Sequence, residues 1–149
     1  MAYSILEQIA QNVVTTVEGV TGIGTVTRTM QRNTYNVTDK AAVIEQDAAE
    51  APEYVTGGPA MVQWLQPFSI HLFRVVSELS PLPIDQIFNS IVADVQAVMT
   101  ADGTRGGLAH DTRLGGVEYY ADESAEIAEA VVQIIVEYRV SEADPFTQR

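Results

Sequence analysis

The chain has no cysteine among its 149 residues, which excludes both a disulfide framework and a thiolate metal site. Lysine is almost missing as well. Lys40 stands alone, and eight basic residues face twenty acidic ones for a formal net charge of −12. Gripping nucleic acid requires a basic stripe that displaces counterions from phosphates, so stable nucleic-acid binding is not expected. A surface this acidic would instead let nucleic acid pass without holding it. No apolar run approaches the roughly 18 residues of a membrane span. The opening residues, Met1 to Glu7, carry neither a basic region nor the apolar stretch of a signal peptide. The expectation is a chain with no targeting segment, in which the glycosylation-like triplet Asn36, Val37, Thr38 is a chance match.

What is present suffices for one folded domain spanning 1–149. A hydrophobic content of 46% supports a real core, and a chain of this size buries roughly 68–70% of its unfolded surface without staples. There is no internal repeat, low-complexity tract or linker.

Ser4 to Glu7 has capping-box spacing. Ile5, Ile9, Val13 and Val17 then recur every four residues, which predicts an amphipathic helix ended by Gly19 or Gly22. Gly24 to Met30 reads as a strand. From Gln31 to Ala60 the chain turns polar, with short strand candidates at Ala41 to Ile44 and Tyr54 to Val55, and this stretch is expected to be an inserted arm or extended hairpin. Met61 to Val76 has sheet character. Pro67 within it should mark a bulge, an edge or a break, because proline lacks an amide donor. After Ser80 to Pro83, a second helix is predicted from Ile84, Ile87, Phe88, Ile91, Val92, Val95, Val98 and Met99, stopping at Asp102 and Gly103. Thr104 to Gly116 reads as a glycine-punctuated loop, Val117 to Tyr120 as a short strand, and Ala121 to Ser124 as a turn.

Residues 130–140 fit a helical stripe and a strict alternation equally well. The density of valine and isoleucine decides for a strand, since β-branched side chains lose rotamer freedom in a helix. This closing strand is expected to lie centrally in the sheet and to end in a turn at Pro145. The fold class is therefore α+β: a mostly antiparallel sheet with two helices packed on one face and a long polar arm inserted.

Candidate chemistry is thin. His71 could transfer a proton or hold a metal, but an ordinary strand histidine is the better reading. His110 and Asp111, near Asp102 and Arg105, could form a small site in the glycine loop, yet two ligands without a third at metal spacing are weak evidence. Asp102 to Gly107 resembles a phosphate cradle only superficially, because it follows a helix and lacks the lysine of such loops. Glu118, Asp122, Glu123, Glu126 and Glu129 lack the alternation and central glycine of a calcium loop, so they read as a solvated face. Two histidines alone do not define a serine triad. No catalytic residue, cofactor or metal is assigned. Tyr119, Tyr120 and Tyr138 are plausible interface residues, since tyrosine joins contact area to a polar tip.

Several features together resemble a known family. The second helix closes on Val95 to Asp102, the loop reads Thr104-Arg-Gly-Gly-Leu108, and the end runs Val136-Glu-Tyr-Arg139 to Asp144-Pro-Phe146. In element order and in these residues the chain resembles the tail terminator (tail completion) proteins of long-tailed bacteriophages, the group around the lambda tail terminator. The resemblance implies a small α/β protein with no enzymatic activity, assembled in the host cytoplasm and residing in the virion. Six copies would form a ring that caps the tail tube, stops its polymerisation and meets the head connector or stopper protein. The net charge agrees with a ring through which DNA passes. Contacts between copies or to the tube are then expected from the arm, including Lys40 and Tyr54, and from the loop at 103–116, including Arg105, Leu108, His110 and Arg113. Two alternatives stand beside it: another neck or tail protein, such as a connector or tube subunit, and a small enzyme or ligand-binding domain with a pocket near His110 and Asp111.

Overall fold

The computed structural model describes residues 2–28, 40–55, 60–75, 83–120 and 127–148. Helix α1 spans Ile5–Glu18. Ser4 starts it by accepting the Glu7 amide at 3.1 Å, and Ile5, Ile9, Ala10, Val13 and Val17 form its buried stripe. Only half of the expected capping box is made. The Glu7 carboxylate, rather than turning back, takes the Arg28 guanidinium at 2.7 and 3.2 Å. Gly19 is the C-cap and donates its amide to the Thr16 carbonyl. Helix α2 spans Ile84–Ala101, from Pro83 to Asp102 as caps, and buries Phe88, Ile91, Val92, Val95 and Met99.

Among the described residues, seven strands make one sheet: β1 Thr25–Arg28, β2 Lys40–Gln46, β3 Glu53–Val55, β4 Met61–Val75, β5 Asp111–Tyr120, β6 Ile127–Ser141 and β7 Asp144–Gln148. The main path is β1-β2-β4-β6-β5, with β3 on β4 and β7 on β6. Of these pairs, β1 with β2 is parallel and the others are antiparallel. The fold is thus α+β, with two helices and a mostly antiparallel sheet. Its spine is the β4–β6 pair, in register from Met61 against Ser141 to Val75 against Ile127.

The alternating pattern of the last segment is realised as a strand. Ala128, Ala130, Val132, Ile134, Val136, Tyr138 and Val140 are all buried, and burial pushes the Tyr138 hydroxyl up to about 12. As expected, β6 is interior, with β4 on one side and β5 and β7 on the other. One hydrophobic cluster joins these residues to Phe68, Ile70 and Leu72 of β4, to Ala42 and Ile44 of β2, and to the buried stripes of both helices.

The glycine pair at 115–116 and Pro145 behave differently from their local reading, whereas Pro67 takes the edge position among the three expected for it. Pro67 neither bulges nor breaks β4, whose register with β6 runs through it. Its carbonyl accepts the Asp47 amide at 3.1 Å, so its nitrogen faces the same side, between the end of β2 at Gln46 and the start of β3 at Glu53. No ladder bond is lost in that gap. Residues 111–116, expected as loop, are the first half of β5. Gly115 and Gly116 mark a register shift between Leu114 and Val117, a bulge that glycine permits. A Cβ on Gly115 would lie 2.6 Å from the Gln133 side-chain oxygen. The closing turn is not at Pro145 but at Glu142 and Ala143, and Pro145 belongs to β7.

The described part of the polar stretch, 40–55, supplies β2 and β3, both hydrogen-bonded to β4. Residues 31–39 and 56–59 of the expected arm lie outside the described residues, as do Met30, Val76, Pro81 and the turn expected at 121–124.

The Arg28–Glu7 pair ties β1 to the first turn of α1. The Arg28 guanidinium holds the Glu7 carboxyl below the usual glutamate range. Its contribution is therefore present above the unfolded glutamate value and is lost as pH falls through the lower folded value. Both side chains are about one-third exposed, so the pair contributes at most about 1 kcal/mol. Denaturant midpoints should show Arg28→Met less stable than wild type at about pH 7, with the difference shrinking as pH falls below the unfolded glutamate range.

Candidate functional site

The residues of β2, β4 and β6 that alternate with the core cluster carry the polar chemistry. Val43, His71 and Val131 stand side by side across the three strands, and Glu45, Ser69 and Gln133 form the next row. Glu45 and Glu129 are thus the diagonal neighbours of His71 on either flank, close enough for long side chains to meet it. His71 Nε2 lies 2.7 Å from Glu45 Oε2, and Nδ1 lies 2.6 Å from Glu129 Oε1. The imidazole is 4% exposed, against 34% and 26% for the two carboxylate side chains. Each ring nitrogen faces a carboxylate oxygen, so each must bear a hydrogen unless a carboxyl carries one itself. The ring also stacks on Phe73, with centroids 6.3 Å apart and planes 12° from parallel.

Beside this triad, the Ser69 hydroxyl donates to Asp47 Oδ2 at 2.5 Å. A depression of about 600 Å³ opens over the group, edged further by Glu118 and Tyr120. Chemically, the arrangement is a hydrogen-bonded staple across three strands. The Ser69 hydroxyl is directed to Asp47, and the His71 nitrogens face carboxylates, so serine and histidine are not arranged as nucleophile and base. Among the described residues, no group of three or more histidine, aspartate or glutamate side chains is placed to hold a metal ion.

The loop after α2 is built differently. Asp102 accepts the Thr104 hydroxyl at 2.6 Å and the Thr104 and Gly106 amides at 3.1 and 2.8 Å. These bonds, led by the Thr104 hydroxyl, hold its carboxyl below the usual range. Arg105, Gly106 and Gly107 follow with φ of 52°, 71° and 87°. That left-handed run folds Arg105 back under the helix, where it is 1% exposed. Its guanidinium donates to the carbonyls of Met99 and Asp102 and approaches Met99 Sδ at 3.2 Å. Carbonyls at a helix C-terminus have no partner within the helix, and a cation complements the dipole there. Burial lowers the Arg105 pKa, with Asp102 opposing the shift, and Nε is left without a hydrogen-bond partner.

The interface candidates therefore divide. Arg105 is enclosed and committed to α2, and Leu108 is half-buried against the core. His110 is exposed at the loop's end, its amide donating to the Glu137 carbonyl at 2.7 Å. Arg113 is exposed on β5 and meets Glu137 at 3.0 Å. Asp111, the expected partner of His110, accepts the Thr112 amide and lies 3.8 Å from Arg113. Tyr54 is 65% exposed with its hydroxyl on Glu142 at 2.8 Å. Lys40, half-buried, opens β2 opposite Arg74. These positions do not converge on one site.

A second depression, of about 310 Å³, has an apolar floor of Leu65, Pro67 and Ile135, with Ala48 and Ala51 beside it and Glu50 and Glu53 at its rim. Neither it nor the His71 staple was expected from the sequence. A charged residue among the alternating valines of a sheet, such as Glu129 beside Ala130 to Val132, is the signal that a buried partner exists. No protein-family model matches this chain, and no curated protein matches it in sequence.

Proposed function

We propose that the chain is a structural virion protein of a long-tailed bacteriophage, a tail terminator whose copies close into a ring at the head-proximal end of the tail tube. The observation that carries this reading is the order of elements around the residues that resemble the family. A capped N-terminal helix precedes the first strands, a second helix ends in the 104–108 loop, and a long interior strand runs into Asp144-Pro145-Phe146. The ring consists of six copies, ends tube growth and offers a surface to the head connector, all in the virion after assembly in the host cytoplasm.

Both helices pack on one face of the sheet. Support comes from the shared cluster, which takes α1 and α2 residues together with only one alternation of β4 and β6. The other alternation, with the His71 staple and the Leu65 groove, then remains for neighbours. The net charge of −12 suits a ring that DNA threads without sticking. Two distinct edges, β1 and β5, end the main sheet path, and a surface with unlike sides suits the heterologous contacts of a closed ring.

The test is tube growth. Tube subunits polymerising in the presence of this protein should stop at shorter lengths, with the added protein at one end only. Incorporation along the whole tube would instead make the chain a tube subunit.

A further inference from the structure

We propose that the His71 staple is a proton-operated latch: one bound proton closes it across β2, β4 and β6, and loss of that proton turns one carboxylate out into the depression above. The inference does not depend on the ring; it rests on a count of hydrogens. His71 Nε2 lies 2.7 Å from Glu45 Oε2, and Nδ1 lies 2.6 Å from Glu129 Oε1. Each contact is a hydrogen bond only when a hydrogen lies between the two atoms, so the closed staple holds two. A neutral imidazole brings one, and ionised carboxylates bring none. The second is therefore an added proton, whichever of the three groups carries it. Without it, the lone pair of a ring nitrogen faces a carboxylate oxygen at hydrogen-bond distance, and the two repel.

The surroundings decide which partner gives way. The imidazole is enclosed and stacks on Phe73, whereas Glu45 and Glu129 border a depression of about 600 Å³. A carboxylate thus has room to turn, and the ring does not. The ionisable groups facing the staple are Glu45 from β2, Asp47 just beyond it, Glu129 from β6, and Glu118 and Tyr120 from β5. From β4 itself comes Ser69, whose hydroxyl is directed to Asp47. When one arm opens, the charge of this face falls by one. β4 then loses one side-chain tie, to β2 or to β6, while the backbone ladders on both sides remain. Histidine is the side chain that ordinarily changes charge between about pH 5 and 8, and the latch is expected to work across that range.

The full-length protein carries two histidines, His71 and His110, so the ring signals are assigned with His110→Gln. Long-range proton–nitrogen spectra between about pH 5 and 8 follow both His71 nitrogens, and nuclear Overhauser contacts follow the approach of the ring to the Glu45 and Glu129 side chains. At the acid end, contacts to both glutamates are expected. As pH rises, contacts to one glutamate should fade while the other set persists, with the same midpoint as the change in the ring nitrogen shifts. Glu45→Gln and Glu129→Gln each supply an amide that donates as well as accepts. In either variant a neutral ring should keep both arms closed, and the fading should disappear. Contacts to both glutamates that persist unchanged across the range, or fading that survives in both glutamine variants, would overturn the latch.

Discussion

His71→Ala is expected to lower the stability of the protein by about 2–4 kcal/mol, because two partly solvated carboxylates lose the imidazole hydrogen bonds between them. The imidazole sits between Glu45 and Glu129 at 2.7 and 2.6 Å. Its removal leaves the two carboxylates on one small patch of sheet with the hydrogens between them gone. A domain of this size shifts its melting temperature by roughly 2–4 °C per kcal/mol, so a loss of roughly 5–15 °C should appear in a thermal scan. The mechanism makes a sharper demand. Adding Glu45→Gln and Glu129→Gln to His71→Ala should recover part of the loss, because neutral amides do not repel each other and can donate as well as accept. A triple variant as unstable as the single one would show that lost packing, not charge, is the cause.

The second large effect is expected at Arg105. Replacement by alanine should destabilise by about 2–4 kcal/mol, since carbonyls at the end of α2 lose a charged donor inside the protein. The substitution also places a Cβ residue at φ 52° without the cap that rewards it. Arg105→Gly removes that backbone strain while losing the same hydrogen bonds, and should be more stable than Arg105→Ala by about 1 kcal/mol. Arg105→Lys keeps the charge but not the planar fork, and should fall between wild type and alanine. Denaturant titration measures all three. Equal stability of Arg105→Ala and wild type would mean that the loop holds itself, through Asp102 and its bonds to Thr104 and Gly106.

How much of this was legible in the sequence depended on how local each cause is. Helix α1 was plain, because the Ser4 cap and the spacing of Ile5, Ile9, Val13 and Val17 agree within one short segment. Strand β6 was ambiguous by periodicity and was settled by side-chain chemistry, the branched Cβ atoms of 131–140. The breakers depend on nonlocal causes, which is why Pro67 could not be placed among its three readings and the 115–116 glycines read as loop. Pro67 is harmless because the strand that would need its amide has ended, and Gly115 is required by Gln133 on the neighbouring strand. Neither fact is written near the residue itself. The His71 staple fails the same way, its partners lying 26 and 58 residues away. Arg105 is a different case. It stands in a loop that composition marks as exposed, and a left-handed turn before two glycines carries it inward. Choosing it as a surface contact followed from its type, while its conformation sends it to the helix end.

The most direct test of the ring is the native mass of the purified protein, by light scattering on a sizing column, with negative-stain images of the peak and of the protein mixed with tail tubes. The expected result is a species of six 16.2 kDa chains with a central hole, free or seated at one end of a tube. Open filaments, or a monomer that also leaves tube ends bare, would contradict it.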